Sequence, residues 1–171
     1  MGYFIKDLGI GFGVFKKMDT YGMHKSATSG IIDLKDNMLV NVGEAYIVVN
    51  LLPEGLEDDG PHHTLKLKIF GGSNNGEIYE YHINDMMKGS RKIIMGRTPE
   101  CDIQINDKLL SKFQAHISVE YLDDGSYRWV LHDGNNGKPS TNGTWLYINE
   151  DMLIYEGMIF KANQTIFSVS F

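Results

Sequence analysis

The feature that most limits what this chain can fold into is a period of two that runs through nearly every patterned stretch. Leu65, Leu67 and Ile69 alternate with Lys66 and Lys68. Successive side chains of an extended strand point to opposite faces of a sheet, so such a pattern makes one buried face and one wet one. Gly71 to Gly76 is a cluster of turn residues, after which Ile78 to Ile83 resumes extended. Lys92 to Met95, Ile103 to Ile105, Gln114 to Tyr121, Tyr127 to Leu131, Thr144 to Ile148, Met152 to Tyr155, Met158 to Lys161 and Thr165 to Phe171 follow, separated by Gly, Asn and Asp. No stripe with helical spacing competes with them. Many short strands with frequent turns predict an all-β sandwich.

Composition bounds the rest. The 171 residues are 42% hydrophobic and 11% aromatic, enough for one packed domain with a modest extension. A net charge of −6 argues against a nucleic-acid or anionic-membrane partner, so any anion must be held by a local cluster such as Arg97, Lys108 and Lys112. Cys101 is the single cysteine beside nine methionines. An internal disulfide or a cysteine metal site is thereby excluded, and a reducing, intracellular location, cytoplasmic or nuclear, is expected. The longest apolar runs, Tyr46 to Val49 and Leu51 to Pro53, are far too short for a bilayer, and the N-terminus lacks the basic segment of a secretory signal.

Three sequence motifs, each placed in a loop, carry chemistry. Gly96-Arg97 comes first, Ser111-Lys112-Phe113-Gln114 second, and Ser140-Thr141-Asn142-Gly143-Thr144-Trp145 third. A guanidinium, a serine hydroxyl and a Thr-Asn pair are the groups needed to hold a phosphorylated residue. A phosphate monoester brings nearly two negative charges and three strong acceptor oxygens, and is best met by one guanidinium and several neutral donors from different directions. Arg-based capture of phosphorylated motifs is a recurrent peptide-recognition mode. Asn-Gly is also a strong signal for a tight hairpin turn, and both readings are expected to hold, with the turn placing Asn142 at the tip of the site.

In their order these motifs resemble the forkhead-associated (FHA) domain, whose pattern runs Gly-Arg, Ser-x-x-His, then Asn-Gly. The resemblance covers roughly residues 63–171. It implies an FHA-type β-sandwich that binds phosphothreonine peptides through loop residues and needs no cofactor. Carried onto matching positions, Arg97 and Ser111 bind phosphate oxygens, Lys112 adds charge or a backbone amide, Thr141 donates to the phosphate, and Asn142 grips the peptide backbone. Gly96 and Gly143 allow the turns, and Trp145 packs into the sheet. One position departs from the family: Gln114 stands where the motif has its bracing histidine, with His116 two residues on. Gln has an acceptor and a donor and is expected to take over the brace, leaving His116 as an ordinary sheet residue.

Residues 1–52 form an N-terminal β extension, 53–62 a linker of turn residues and acids, and 63–171 the FHA domain. Leu34 to Gly43 matches Ile148 to Gly157, with Met38-Leu39 and Gly43 falling on Met152-Leu153 and Gly157, and Gly11 to Phe15 can be laid on Thr141 to Trp145. The extension therefore resembles a partial second copy of FHA closing strands, with Phe12 where the gripping Asn142 would stand. Such a piece cannot close a sandwich alone and is expected to bury its strands against the complete domain, an assembly partner, or upstream sequence. Gly22 to Gly30 reads as a loop.

Other constellations fail on spacing. Gly9 to Val14 lacks the spacing of nucleotide loops, His62-His63 has no further ligands, and the Asp-Asp-Gly turns do not extend into a calcium loop. No serine has a nucleophile signature, so no catalytic residue, metal or cofactor is assigned. The expected function is a phosphothreonine-dependent interaction module, a signalling or assembly adaptor rather than an enzyme. The alternative is a phosphate-independent structural subunit that uses the same sandwich as a packing module.

Overall fold

The computed structural model describes residues 2–19, 30–53 and 63–171. The expected linker thus lies almost wholly outside the described residues, as does all of the Gly22 to Gly30 loop except Gly30. The chain is nearly all β and forms a β-sandwich from two main sheets.

The smaller main sheet holds five strands. Numbered in chain order through the protein, these are β3 (Ile31–Asp33), β8 (Ile93–Gly96), β9 (Ile103–Gln104), β10 (Ala115–Tyr121) and β11 (Tyr127–Asp133), arranged β3-β11-β10-β8-β9. The larger sheet holds β2 (Val14–Lys17), β4 (Leu39–Val42), β5 (Ala45–Leu52), β6 (Thr64–Phe70), β7 (Ile78–His82), β12 (Trp145–Tyr147), β14 (Ile159–Ala162) and β15 (Thr165–Ser168). Their order is β15-β14-β2-β12-β4-β5-β6-β7. A separate pair joins β1 (Phe4–Ile5) to β13 (Met152–Leu153).

The alternation read from the sequence sets which face is buried. Leu65, Leu67 and Ile69 of β6 are fully buried, and Ala45, Ile47, Val49 and Leu51 line the same layer from β5. Trp129, Leu131 and Ile117 face them from the smaller sheet as members of the same core cluster. Each such side chain contributes roughly 1.5–3 kcal/mol of burial before entropy is subtracted.

Two expectations are corrected here. Ile83 was expected to end a strand; instead Ile83–Met87 forms a short helix, α1, with Ile83 and Met86 buried at i, i+3. Five residues are too few for periodicity to announce. The Asn142-Gly143 step is not a hairpin turn between paired strands. Strand β11 belongs to the smaller sheet and β12 to the larger one, so the connection crosses between layers.

The N-terminal strands lie inside the sandwich rather than beside it. β4 and β5 sit between β12 and β6, and β3 extends the smaller sheet beyond β11. Removing them would uncover the core.

Candidate functional site

The three motif loops meet at one end of the sandwich, and their backbone geometry explains the residue choices. Gly96 ends β8 where that strand passes the Ser111–Gln114 loop. A Cβ built on Gly96 would fall 2.2 Å from the Lys112 carbonyl oxygen, so no side chain fits. The close approach brings the next residue to the loop, and Arg97 N–H donates to the Ser111 carbonyl at 3.3 Å. The Arg97 side chain is exposed and makes no hydrogen bond or ion pair among the described residues. An uncompensated guanidinium of this kind is ready for a bidentate anion.

Ser111 links the second loop to the third. Its Oγ accepts from Thr141 N–H at 2.9 Å and donates to Thr141 Oγ1 at 3.2 Å. Thr141 and Asn142 are exposed, and Asn142 Nδ2 donates to the Leu109 carbonyl at 2.6 Å. Lys112 is exposed while its carbonyl accepts from Thr98 Oγ1 at 3.3 Å and Cys101 Sγ at 3.4 Å. The single cysteine is buried as a small packing residue.

Gln114 lies under this layer with no exposed surface. Its Oε1 accepts from Ser111 N–H at 3.1 Å and its Nε2 donates to the Gly143 carbonyl at 3.0 Å. One amide thus ties the second loop to the third, using both its acceptor and its donor. His116 is also buried, and its Nδ1 lies 2.8 Å from the Gly134 carbonyl. Its ring stacks on His132 at 4.4 Å. Burial lowers the His116 pKa below its ordinary value; for His132, burial and then the neighbouring His116 charge push it down to about 4.

Three residues that hold the third loop were not read from the sequence. Asp133 Oδ1 accepts from Ser140 Oγ at 2.7 Å and Thr144 Oγ1 at 2.8 Å, and its Oδ2 accepts from Ser140 N–H at 3.0 Å. Ser140 Oγ in turn accepts from Gly143 N–H at 2.9 Å. The third is Lys17 on β2, whose chain lies over Gly143, where a Cβ would come within 2.2 Å of Lys17 Cε and φ is +80°. The Asp-to-Ser spacing across a turn was a visible signal; Lys17 could be found only through strand pairing, since it sits opposite Trp145. Trp145 is buried, as expected, and its Nε1 donates to the Asn142 carbonyl at 3.2 Å.

Beside Asn142 a groove of about 590 Å³ opens toward Leu109, Phe12 and Lys161. Among the described residues no cluster of three His, Cys, Asp or Glu can hold a metal ion, and no helix is long and apolar enough to cross a membrane.

Comparison with known families gives one result that fits this geometry. The FHA domain family matches residues 93–164, from β8 through the hairpin turn after β14. No curated protein and no solved structure matches the chain. Residues 93–164 are an FHA domain.

Proposed function

From an FHA domain at residues 93–164, a family of phosphothreonine-binding protein-interaction modules, we propose that this chain binds phosphothreonine peptides at the loop end formed by Arg97, Ser111, Lys112, Thr141 and Asn142. The observation that carries this reading is the interlocked loop layer above Gln114. It fixes the Ser111 and Thr141 hydroxyls before a ligand arrives, next to the Arg97 backbone, whose exposed guanidinium has no partner among the described residues. Pre-fixed donors lose little freedom on binding, which favours affinity.

In this reading Arg97 takes two phosphate oxygens and the Ser111 and Thr141 hydroxyls turn outward to take others. Lys112 adds charge, and Asn142 exchanges the Leu109 carbonyl for the peptide backbone. Gly96, Gln114 and Gly143 shape the loops without touching the ligand. The chain acts as an adaptor, makes and breaks no bond, and works inside cells, where protein kinases act and Cys101 stays reduced. The assay is calorimetric titration of an oriented phosphothreonine peptide library and its unphosphorylated counterpart. Equal binding of both, or none of either, would refute the proposal and leave the sandwich as a packing module.

A further inference from the structure

The larger sheet is built around a local two-fold axis between β2 and β12. These strands run antiparallel with Lys16 opposite Leu146, Trp145 opposite Lys17 and Tyr147 opposite Phe15. Met18 N–H donates to the Thr144 carbonyl at 2.8 Å, and Ile148 N–H donates to the Val14 carbonyl at 2.9 Å. The rotation that exchanges Phe15 with Trp145 therefore exchanges both bonds.

The same rotation carries the outer strands onto each other. β12 meets β4 with Trp145 opposite Asn41, and β2 meets β14 with Phe15 opposite Lys161. In the hairpins, Val40 opposes Ile47 as Phe160 opposes Phe167. Asn37 N–H bonds the Val49 carbonyl and Val49 N–H the Met38 carbonyl; Gly157, Val169 and Met158 repeat this, at 2.8–3.0 Å throughout. The left-handed residues also coincide, Asn37 (φ 61°) with Gly157 (φ 79°) and Gly43 (φ 60°) with Asn163 (φ 55°). Hairpin β4–β5 thus has its structural counterpart in residues 159–168, six residues beyond the sequence match that set Met38 on Met152.

The correspondence reaches the second layer. Leu34 N–H donates to the Trp129 carbonyl beside the β3–β11 pair, and Ile154 N–H donates to the Tyr3 carbonyl beside the β13–β1 pair. Strand β1 is accordingly the counterpart of β11, with Tyr3 at the place of Trp129. Strands β1, β2, β14 and β15 then outline a second sandwich that, among the described residues, lacks counterparts of β6 to β10. The side chains agree: Ile47 and Leu51 are 2% and 7% exposed, whereas their counterparts Phe167 and Phe171 are 42% and 75% exposed. Trp129 is 2% exposed and Tyr3 is 71% exposed. A strand alternating Thr165, Phe167, Val169 and Phe171 has a core-facing pattern and no core.

We infer that the surface formed by β1, β2, β14 and β15 is an interaction site for a second FHA-type body, a strand set like β6–β10 that lacks its own closing hairpin. The rotation names the occupant, because it places a β6-like strand on the open edge of β15 and a β10-like strand beside β1. Val169 N–H bonds inward to Met158, so by alternation the Ile166 and Ser168 amides face that edge. Unpaired edges of this kind invite strand addition. Nothing in this inference depends on phosphate binding.

The test uses the full chain carrying one addition, a duplicate of residues 63–126 joined directly ahead of Met1, where the rotation puts a β10-to-β11 turn. The added segment should fold, resist protease and leave the protein monomeric. Hydrogen exchange at Ile166 and Ser168 should slow on the order of a hundredfold, as edge amides enter a sheet. Pairing Phe160→Asp with Phe167→Asp should return the added segment to protease sensitivity while burial of Trp129 is unchanged. An added segment that stays unfolded, with both amides exchanging as before, would overturn the inference. So would a dimer of the unmodified chain that Phe167→Asp dissociates, since the occupant would then be a second copy of this chain.

Discussion

Ile47 and Phe167 occupy equivalent places in two hairpins of one design, yet one is sealed in a core and the other stands at the surface. The hairpins form alike because turn geometry and strand pairing are local. Burial differs because β5 has β6 and the smaller sheet over it, and β15 has neither. The contrast separates two things that a strand pattern mixes together, the ability to form sheet and the presence of something to pack against.

The largest expected effect tests that contrast directly. Ile47→Ala should cost about 2–5 kcal/mol in chemical denaturation, as for other buried large-to-small changes, whereas Phe167→Ala in the same chain should lie within about 0.5 kcal/mol, as surface changes do. Equal losses would show that the open half carries as much of the fold as the closed half.

Next in size is Arg97→Ala, since the proposed phosphate site belongs to the closed half alone: the two-fold that sets Phe15 on Trp145 sets Phe12 on Asn142, and Phe12 has no amide to grip a peptide. Loss of a charged hydrogen-bonded pair, about 1.5–3 kcal/mol, should weaken phosphopeptide affinity by well over tenfold without moving the melting temperature. Unchanged calorimetric affinity would remove the site from this end of the sandwich.

Gln114→Ala should act on both stability and binding. It strands the Ser111 N–H and the Gly143 carbonyl, at a cost of about 1–3 kcal/mol, and loosens the loops that present Ser111 and Thr141. Affinity should fall several-fold although Gln114 touches no ligand. A stability loss with full affinity would make Gln114 a core residue only.

The smallest effect is a pH slope that only the closed half should show. His132 of β11 has Lys6 as its counterpart following β1, so the open half has no buried imidazole there. In the fold His132 titrates near 4, below its ordinary 6.5, mainly through burial. Between those values the unfolded chain takes up a proton that the folded chain refuses, so stability is retained above pH 6.5 and lost as pH falls toward 4. His132→Gln should flatten the fall in melting temperature across that window; an identical slope would show that other groups govern it.

Most strands were legible because alternation with turn residues is a local signal, and residues 64–70, 115–121 and 127–133 lie almost where the pattern puts them. The three loop motifs of the proposed phosphate site were legible as motifs because each is short and contiguous. Lys17 was not, since its role arises from what crosses a loop in space. The internal match was visible in Gly11 to Phe15 and in Met38, but its register along the second hairpin was not. A methionine followed by a branched aliphatic residue occurs twice in the C-terminal part of the chain, as Met152-Leu153 and as Met158-Ile159, and only hydrogen bonds select the latter.

The sequence by itself determined the all-β class, the strand order in the chain and the three loop motifs of the proposed site, since each rests on neighbours within a few positions. Tertiary structure decided which hairpin closes the core. Two hairpins of like pattern compete for the place between β6 and β12, and local propensity cannot choose between them. Leu39 to Leu52 holds it in this chain, because pairing with both β12 and β6 buries Val40, Ile47, Val49 and Leu51 at once. That gain comes from contacts far apart in sequence, which no local pattern records.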